Sequence, residues 1–214
     1  MVFSKISNRA LAMAGTTTTA IAAAALFSKP AMADGTPSCN NGTNAGSTEC
    51  GTNSSATGTG GATAVGQDST ATDSESTALG EAGTANAFQA TALGEETEAT
   101  ESRTVAVGSG ADATAPRTTA LGSIAIADQI DSVVVGHSAD VGGLSAIAIG
   151  ADANAGGELA ISLGEQSDAS GDGAIALGGD GDDVDGLGPQ ATGSDAIAIG
   201  ADSVPRSLTP LQLG

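Results

Sequence analysis

Nine glycines recur every fourteen residues without a slip: Gly66, Gly80, Gly94, Gly108, Gly122, Gly136, Gly150, Gly164 and Gly178. A tenth copy is delayed by eight residues and closes at Gly200. A fixed period of this length marks a repeat architecture, in which a unit too small to bury its own apolar side stacks on the next. The residue before each glycine is Val65, Leu79, Leu93, Val107, Leu121, Val135, Ile149, Leu163, Leu177 or Ile199. Three before it stand Thr63, Thr77, Thr91, Val105, Thr119, Val133, Ile147, Ile161, Ile175 and Ile197. The position between is Ala in eight copies, with Val134 and Ser162 as exceptions. Five after the glycine comes Ala71, Ala85, Ala99, Ala113, Ala127, Val141, Ala155 or Ala169. Alternation over so few residues, with β-branched side chains, is strand periodicity.

Composition alone points elsewhere. Beyond residue 33 the chain holds 30 Leu, Ile, Val or Phe in 181 residues, no lysine and a net charge of −22, which is the profile of a disordered acidic chain. The lattice overturns that profile, because the scarce apolar residues lie in or near its columns. Two short strands per unit, turned at glycine corners, predict an all-β solenoid. Coils a strand spacing apart, about 4.8 Å, make ten copies a rod about 45–50 Å long. The larger residue of each pair is expected inside, with Thr63, Thr77 and Thr91 loosening the first coils. The intervening alanines would then form a smooth outer face suited to packing against a second copy.

Lys5 and Arg9, the uncharged run Ala10 to Phe27 and Ala31-Met32-Ala33 describe a signal peptide over 1–33, cleaved before Asp34. The competing membrane anchor is weakened by Thr16 to Thr19 and by a short apolar core. Residues 34–62 are rich in Gly, Ser, Thr and Asn, and Cys39 and Cys50 are expected to close a disulfide loop there after export. Without nearby histidines they make no zinc site.

The segments AIAIG at Ala146–Gly150, AISLG at Ala160–Gly164, AIALG at Ala174–Gly178 and AIAIG at Ala196–Gly200 resemble the head repeats of trimeric autotransporter adhesins, the YadA-like or Hep/Hag repeats. The resemblance covers residues 63–204, interrupted by an acidic insertion near 179–195. It implies a left-handed parallel β-roll, three chains side by side, and display on a Gram-negative outer surface. Adhesion to host matrix, cells or other surfaces follows as the expected function, with a cell-surface or extracellular-matrix ligand. The matching adhesive positions are Ala146, Ile147, Ala148, Ile149, Ala196, Ile197, Ala198 and Ile199. The family continues into a neck, a coiled-coil stalk and a membrane β-barrel. Residues 205–214 show no heptad or barrel pattern, so the chain itself is expected to make no membrane contact. It is expected at the cell surface if it forms part of a longer adhesin, and secreted otherwise.

No catalytic constellation is evident: His137 is the only histidine and is expected at a coil corner on the surface. Three arginines beyond the signal peptide, Arg103, Arg117 and Arg206, are too few for a nucleic-acid backbone. The insertion Gly178-Gly179-Asp180-Gly181-Asp182-Asp183-Val184-Asp185-Gly186 fits the start of a calcium nonapeptide, with Asp180, Asp182, Asp183 and Asp185 as ligands. The alternative is a solvated acidic loop. Glu98, Asp112, Asp140 and Asp168 stand four after their glycines, and stacking brings Glu98 and Asp112 together as like charges. Two further readings remain, a solenoid that binds an ordered surface such as ice and a structural spacer in a surface layer. The threonines favour the first of these, although their expected inward direction denies it a flat array.

Overall fold

A computed structural model describes residues 39–41, 44–181, 186–201 and 203–204. The expected signal peptide and the tail at 205–214 lie outside them. No helix occurs among the described residues, and the chain winds as a parallel β-solenoid. Twelve strands form one sheet, from Asn40–Asn41 and Thr48–Cys50 through the three-residue strands ahead of each corner glycine to Ile197–Ile199. Eight two-residue strands, from Ser55–Ala56 to Asn154–Ala155, form a second sheet.

Neighbouring coils pair in register at fourteen residues, as in Val105↔Thr119 and Asp112↔Ile126. The stack begins one coil earlier than the fourteen-residue columns, with Thr48–Cys50 beneath Thr63–Val65 and Ser55–Ala56 beneath Thr70–Ala71. That first step spans fifteen residues, so its corner, Gly51, falls outside the period. Below it Asn40–Asn41 adds an antiparallel strand and covers the edge of the first sheet. The Cys39–Cys50 disulfide ties this covering strand to the coil above.

Each corner glycine is demanded twice over. From Gly66 to Gly164 these residues have φ of +131° to +148°. A Cβ there would lie 1.8–2.6 Å from the carbonyl oxygen of the corner glycine one coil on. Only glycine takes that backbone and leaves room for the next coil. At Gly200, on the last coil, no atom stands within 4 Å of such a Cβ.

The core reverses the expected direction of the strands. Ala64, Ala78, Ala92, Ala106, Ala120, Ala148 and Ala176 are fully buried, and the flanking Thr, Val, Leu and Ile residues point out. The second sheet sends Ala71, Ala85, Ala99, Ala113, Ala127, Val141 and Ala155 inward to meet them. A fourteen-residue coil is too thin to hold two facing rows of large side chains at ordinary interior density, so the small residue takes the inside. Val134 and Val141 are the largest apolar side chains fully buried. Thr63, Thr77 and Thr91 therefore stand on the outer face and loosen nothing within.

Candidate functional site: the outer faces of the solenoid

Turning the strands over creates the dominant surface feature. The first sheet carries two outward columns, the residues one and three before each glycine. In the early coils these pair Thr with Val or Leu, and from Val133–Val135 onward nearly every position is Val, Ile or Leu. Several are well exposed: Ile149 at 40%, Ile197 at 56% and Ile199 at 66%. A continuous apolar stripe on a chain whose own core is alanine marks an interaction surface.

The proposed adhesive set splits along this alternation. Ile147, Ile149, Ile197 and Ile199 lie on the outer stripe, whereas Ala146, Ala148, Ala196 and Ala198 are buried. Those four alanines point into the coil and cannot touch a ligand.

The second sheet presents a polar face. Its outward columns hold Ser55 and Thr57, Thr70 and Thr72, Thr84 and Asn86, then Glu98 and Thr100, Asp112 and Thr114. Paired hydroxyl and amide side chains thus stack on adjacent coils of the second sheet, an array separate from the Thr63, Thr77 and Thr91 column. Glu98 and Asp112 are direct register partners, as the repeat predicted. Partial burial, and secondarily the Glu98 charge, raises the Asp112 carboxyl above its ordinary pKa. Asp140 is raised by burial and by Asp128, against a backbone hydrogen bond from Val141. Burial likewise raises Asp168, offset by hydrogen bonds from Ser170 and Asn154.

The two turns of each coil are built differently from what the glycines alone suggest. Each turn holds a left-handed residue that the glycine column does not mark, and most are not glycine: Asp68, Glu96, Ile124 and Asp152 at the glycine corner, Glu75, Arg103, Arg117 and Leu159 at the other. Inside the turns, buried hydroxyls donate to the carbonyl three residues back. Ser69 reaches Gly66 at 3.0 Å, Ser76 reaches Asp73 at 2.7 Å, Thr104 reaches Glu101 at 2.6 Å and Thr118 reaches Ala115 at 2.7 Å. Sequence reasoning missed these hydroxyls; Ser76, Thr104 and Thr118 leave a Ser/Thr/Ala restriction two before the central residue of each three-residue strand, and Ser69 occupies the matching place two before Ala71.

Among the described residues one ion pair lies on the coil surface. Arg117 lies against Asp131 one coil on, Nη2 to Oδ2 at 2.6 Å, and this bond holds the Asp131 carboxyl below its ordinary pKa. Gln89 donates to Glu75 at 2.8 Å across the preceding coils. His137 is exposed at the corner after Gly136.

At the expected calcium site, Asp180 is described, and Asp182, Asp183 and Asp185 lie outside the described residues. With its amide turned to donate, Gln166 Nε2 stands 2.9 Å from Asp180 Oδ2 and 3.0 Å from the Gly186 carbonyl. Asp180 Oδ1 is shielded from solvent without a hydrogen-bond partner. Among the described residues, no three potential metal ligands cluster, and no helix is long and apolar enough to cross a membrane.

The coil is alanine-cored and carries an apolar outer stripe. The family model for the YadA head domain repeat matches residues 60–80, 85–111, 113–139, 155–180 and 190–204, together more than half of the chain. The chain belongs to the YadA head family. No curated protein matches it.

Proposed function

We propose that the chain is the head of an exported trimeric adhesin, in which three copies bury their Val/Ile/Leu stripes against one another. The observation that carries this is the outward stripe itself. Apolar residues that a fourteen-residue coil cannot take inside remain exposed in a single chain, and a second and third copy would cover them. Burying such side chains contributes about 1.5–3 kcal/mol each at full burial, and the stripe repeats on every coil. Ile147, Ile149, Ile197 and Ile199 then belong to the interface between copies.

Ligand contact falls to the opposite, polar sheet and its corners, where the Thr, Asn, Glu and Asp columns remain in solvent. Export through residues 1–33 and display at a cell surface complete the reading. Calcium held by Asp180, Asp182, Asp183 and Asp185 belongs to the same reading, and calorimetry tests it: no heat above dilution at millimolar calcium removes the site. For adhesion, purified protein is applied to matrix-coated plates and to cells. Binding lost on replacing Thr84 and Asn86 with lysine, but retained in a lysine variant of Ser203, supports the polar face as the ligand surface. Absence of binding to every surface leaves the structural spacer as the better reading.

A second reading is favoured by the paired side chains Ser55 and Thr57, Thr70 and Thr72, Thr84 and Asn86, which form a regular hydroxyl and amide array suited to ordered water such as ice. Glu98 and Asp112 interrupt it, and carboxylates hold a liquid-like shell, so three coils is its extent. Ice-crystal shaping at micromolar protein tests it, and unshaped growth removes it.

A further inference from the structure

We propose that Arg103 pairs with Glu95 of an adjacent copy and so closes the border between neighbouring chains. The proposal rests on the side-by-side trimer above and names a contact at its rim. The apolar stripe is bordered on one side by the corner after each glycine and on the other by the corner ahead of each three-residue strand. In a closed ring of three, the interface is heterologous, and one border of each copy meets the opposite border of the next.

Arg103 stands on the second border, two residues ahead of Val105–Val107, exposed and held by a left-handed backbone at φ 60°. Among the described residues its guanidinium forms no ion pair; Arg117 makes the one that is found, with Asp131. Arg103 is therefore an unpaired cation on a surface of strong negative charge.

Glu95 stands on the first border, directly after Gly94, and is exposed. The coil climbs one strand spacing, about 4.8 Å, in fourteen residues. In a ring without axial offset, Arg103 then lies about 3 Å from the level of Glu95 and about 2 Å from that of Ser109, on the same spacing. An arginine side chain spans that difference. Carboxylates dominate the first border here, with Glu81, Glu95 and Glu96 on successive corners. Three acidic chains brought together repel, and Arg103 is placed where its charge relieves that repulsion in each of three equivalent borders.

The test measures self-association of the exported chain by sedimentation at low ionic strength. Wild type is compared with Arg103→Glu, Glu95→Arg and the double variant carrying both, with far-UV circular dichroism confirming that each is folded. Either single reversal is expected to raise the concentration at half-assembly tenfold or more, the double exchange to recover most of that loss, and molar salt to erase the differences. A trimer indifferent to the single reversals, or singles whose loss the double exchange leaves in place, overturns the pair while the trimer stands. A wild-type chain that stays monomeric overturns the trimer and the pair with it.

Discussion

Two adjacent residues should respond in opposite ways to substitution, because the strand alternates between a closed core and an open stripe. Ala148 is fully buried and stacks between Val134 and Ser162, its register partners on the coils below and above. Leucine at this position inserts three further carbons between facing rows that already touch. Overpacking a tight core costs about 1–3 kcal/mol, and Ala148→Leu belongs at the upper end because the coil has no slack direction other than splitting its two sheets. For a chain of this size, about 3 kcal/mol lowers the melting temperature by roughly 6–12 °C. Ile149, one residue on, is 40% exposed. Ile149→Lys keeps its stem against the sheet and sends the ammonium to solvent, so the single chain stays folded. In an assembly of three it places three charges in an apolar interface, and the assembly is lost. Thermal unfolding by circular dichroism gives the first number and sedimentation the second. An Ala148→Leu variant that melts within 1 °C of wild type would refute the alanine-in packing, as would an Ile149→Lys variant that fails to fold.

Gly122→Ala places a methyl 2.1 Å from the Gly136 carbonyl at a φ of +143°, so a loss of at least about 3 kcal/mol is expected, read as a collapse of the urea midpoint. Ile124 is a β-branched residue at φ 59° and exposed; Ile124→Gly should raise stability by roughly 0.5–1 kcal/mol, and a lower melting temperature would count against strain at this corner. Asp112, Asp140 and Asp168 have folded pKa values raised above the ordinary 3.8. Their neutral forms are favoured in the fold, so the stability they contribute is complete below that value and is lost as pH rises through the raised folded values. Melting temperature should rise as pH falls from neutral toward that window, and Asp112→Asn should stabilise at neutral pH and flatten the dependence. Added salt should also raise it, since Glu98 and Asp112 repel across one strand spacing; a flat response from low to molar salt is the contrary result.

The fourteen-residue glycine column made the solenoid and its register legible, because only glycine satisfies both the backbone and the clearance at the corner. Alternation supplied a period without a phase. Placing Ile147 and Ile149 inside and Ala148 outside followed the ordinary rule that larger apolar residues are buried, and it failed because the coil is too thin for that rule. The same inversion misplaced Thr63, Thr77 and Thr91. The first coil, at Thr48–Cys50 and Ser55–Ala56, escaped notice because its step is fifteen residues and its columns hold few apolar side chains. The second corner was illegible for a different reason. Its left-handed position is filled by Glu75, Gln89, Arg103, Arg117, Asp131 and Leu159, which share a conformation and no chemistry. Its buried hydroxyls left only a Ser/Thr/Ala restriction, which composition this rich in small residues conceals.

The apolar stripe as the contact between copies is tested most directly by the solution mass of the wild-type chain, measured by sedimentation equilibrium at moderate salt and micromolar concentration. A single species of three chains is the predicted result. A chain that remains a monomer up to hundreds of micromolar, with its Val/Ile/Leu columns open to water, would contradict it.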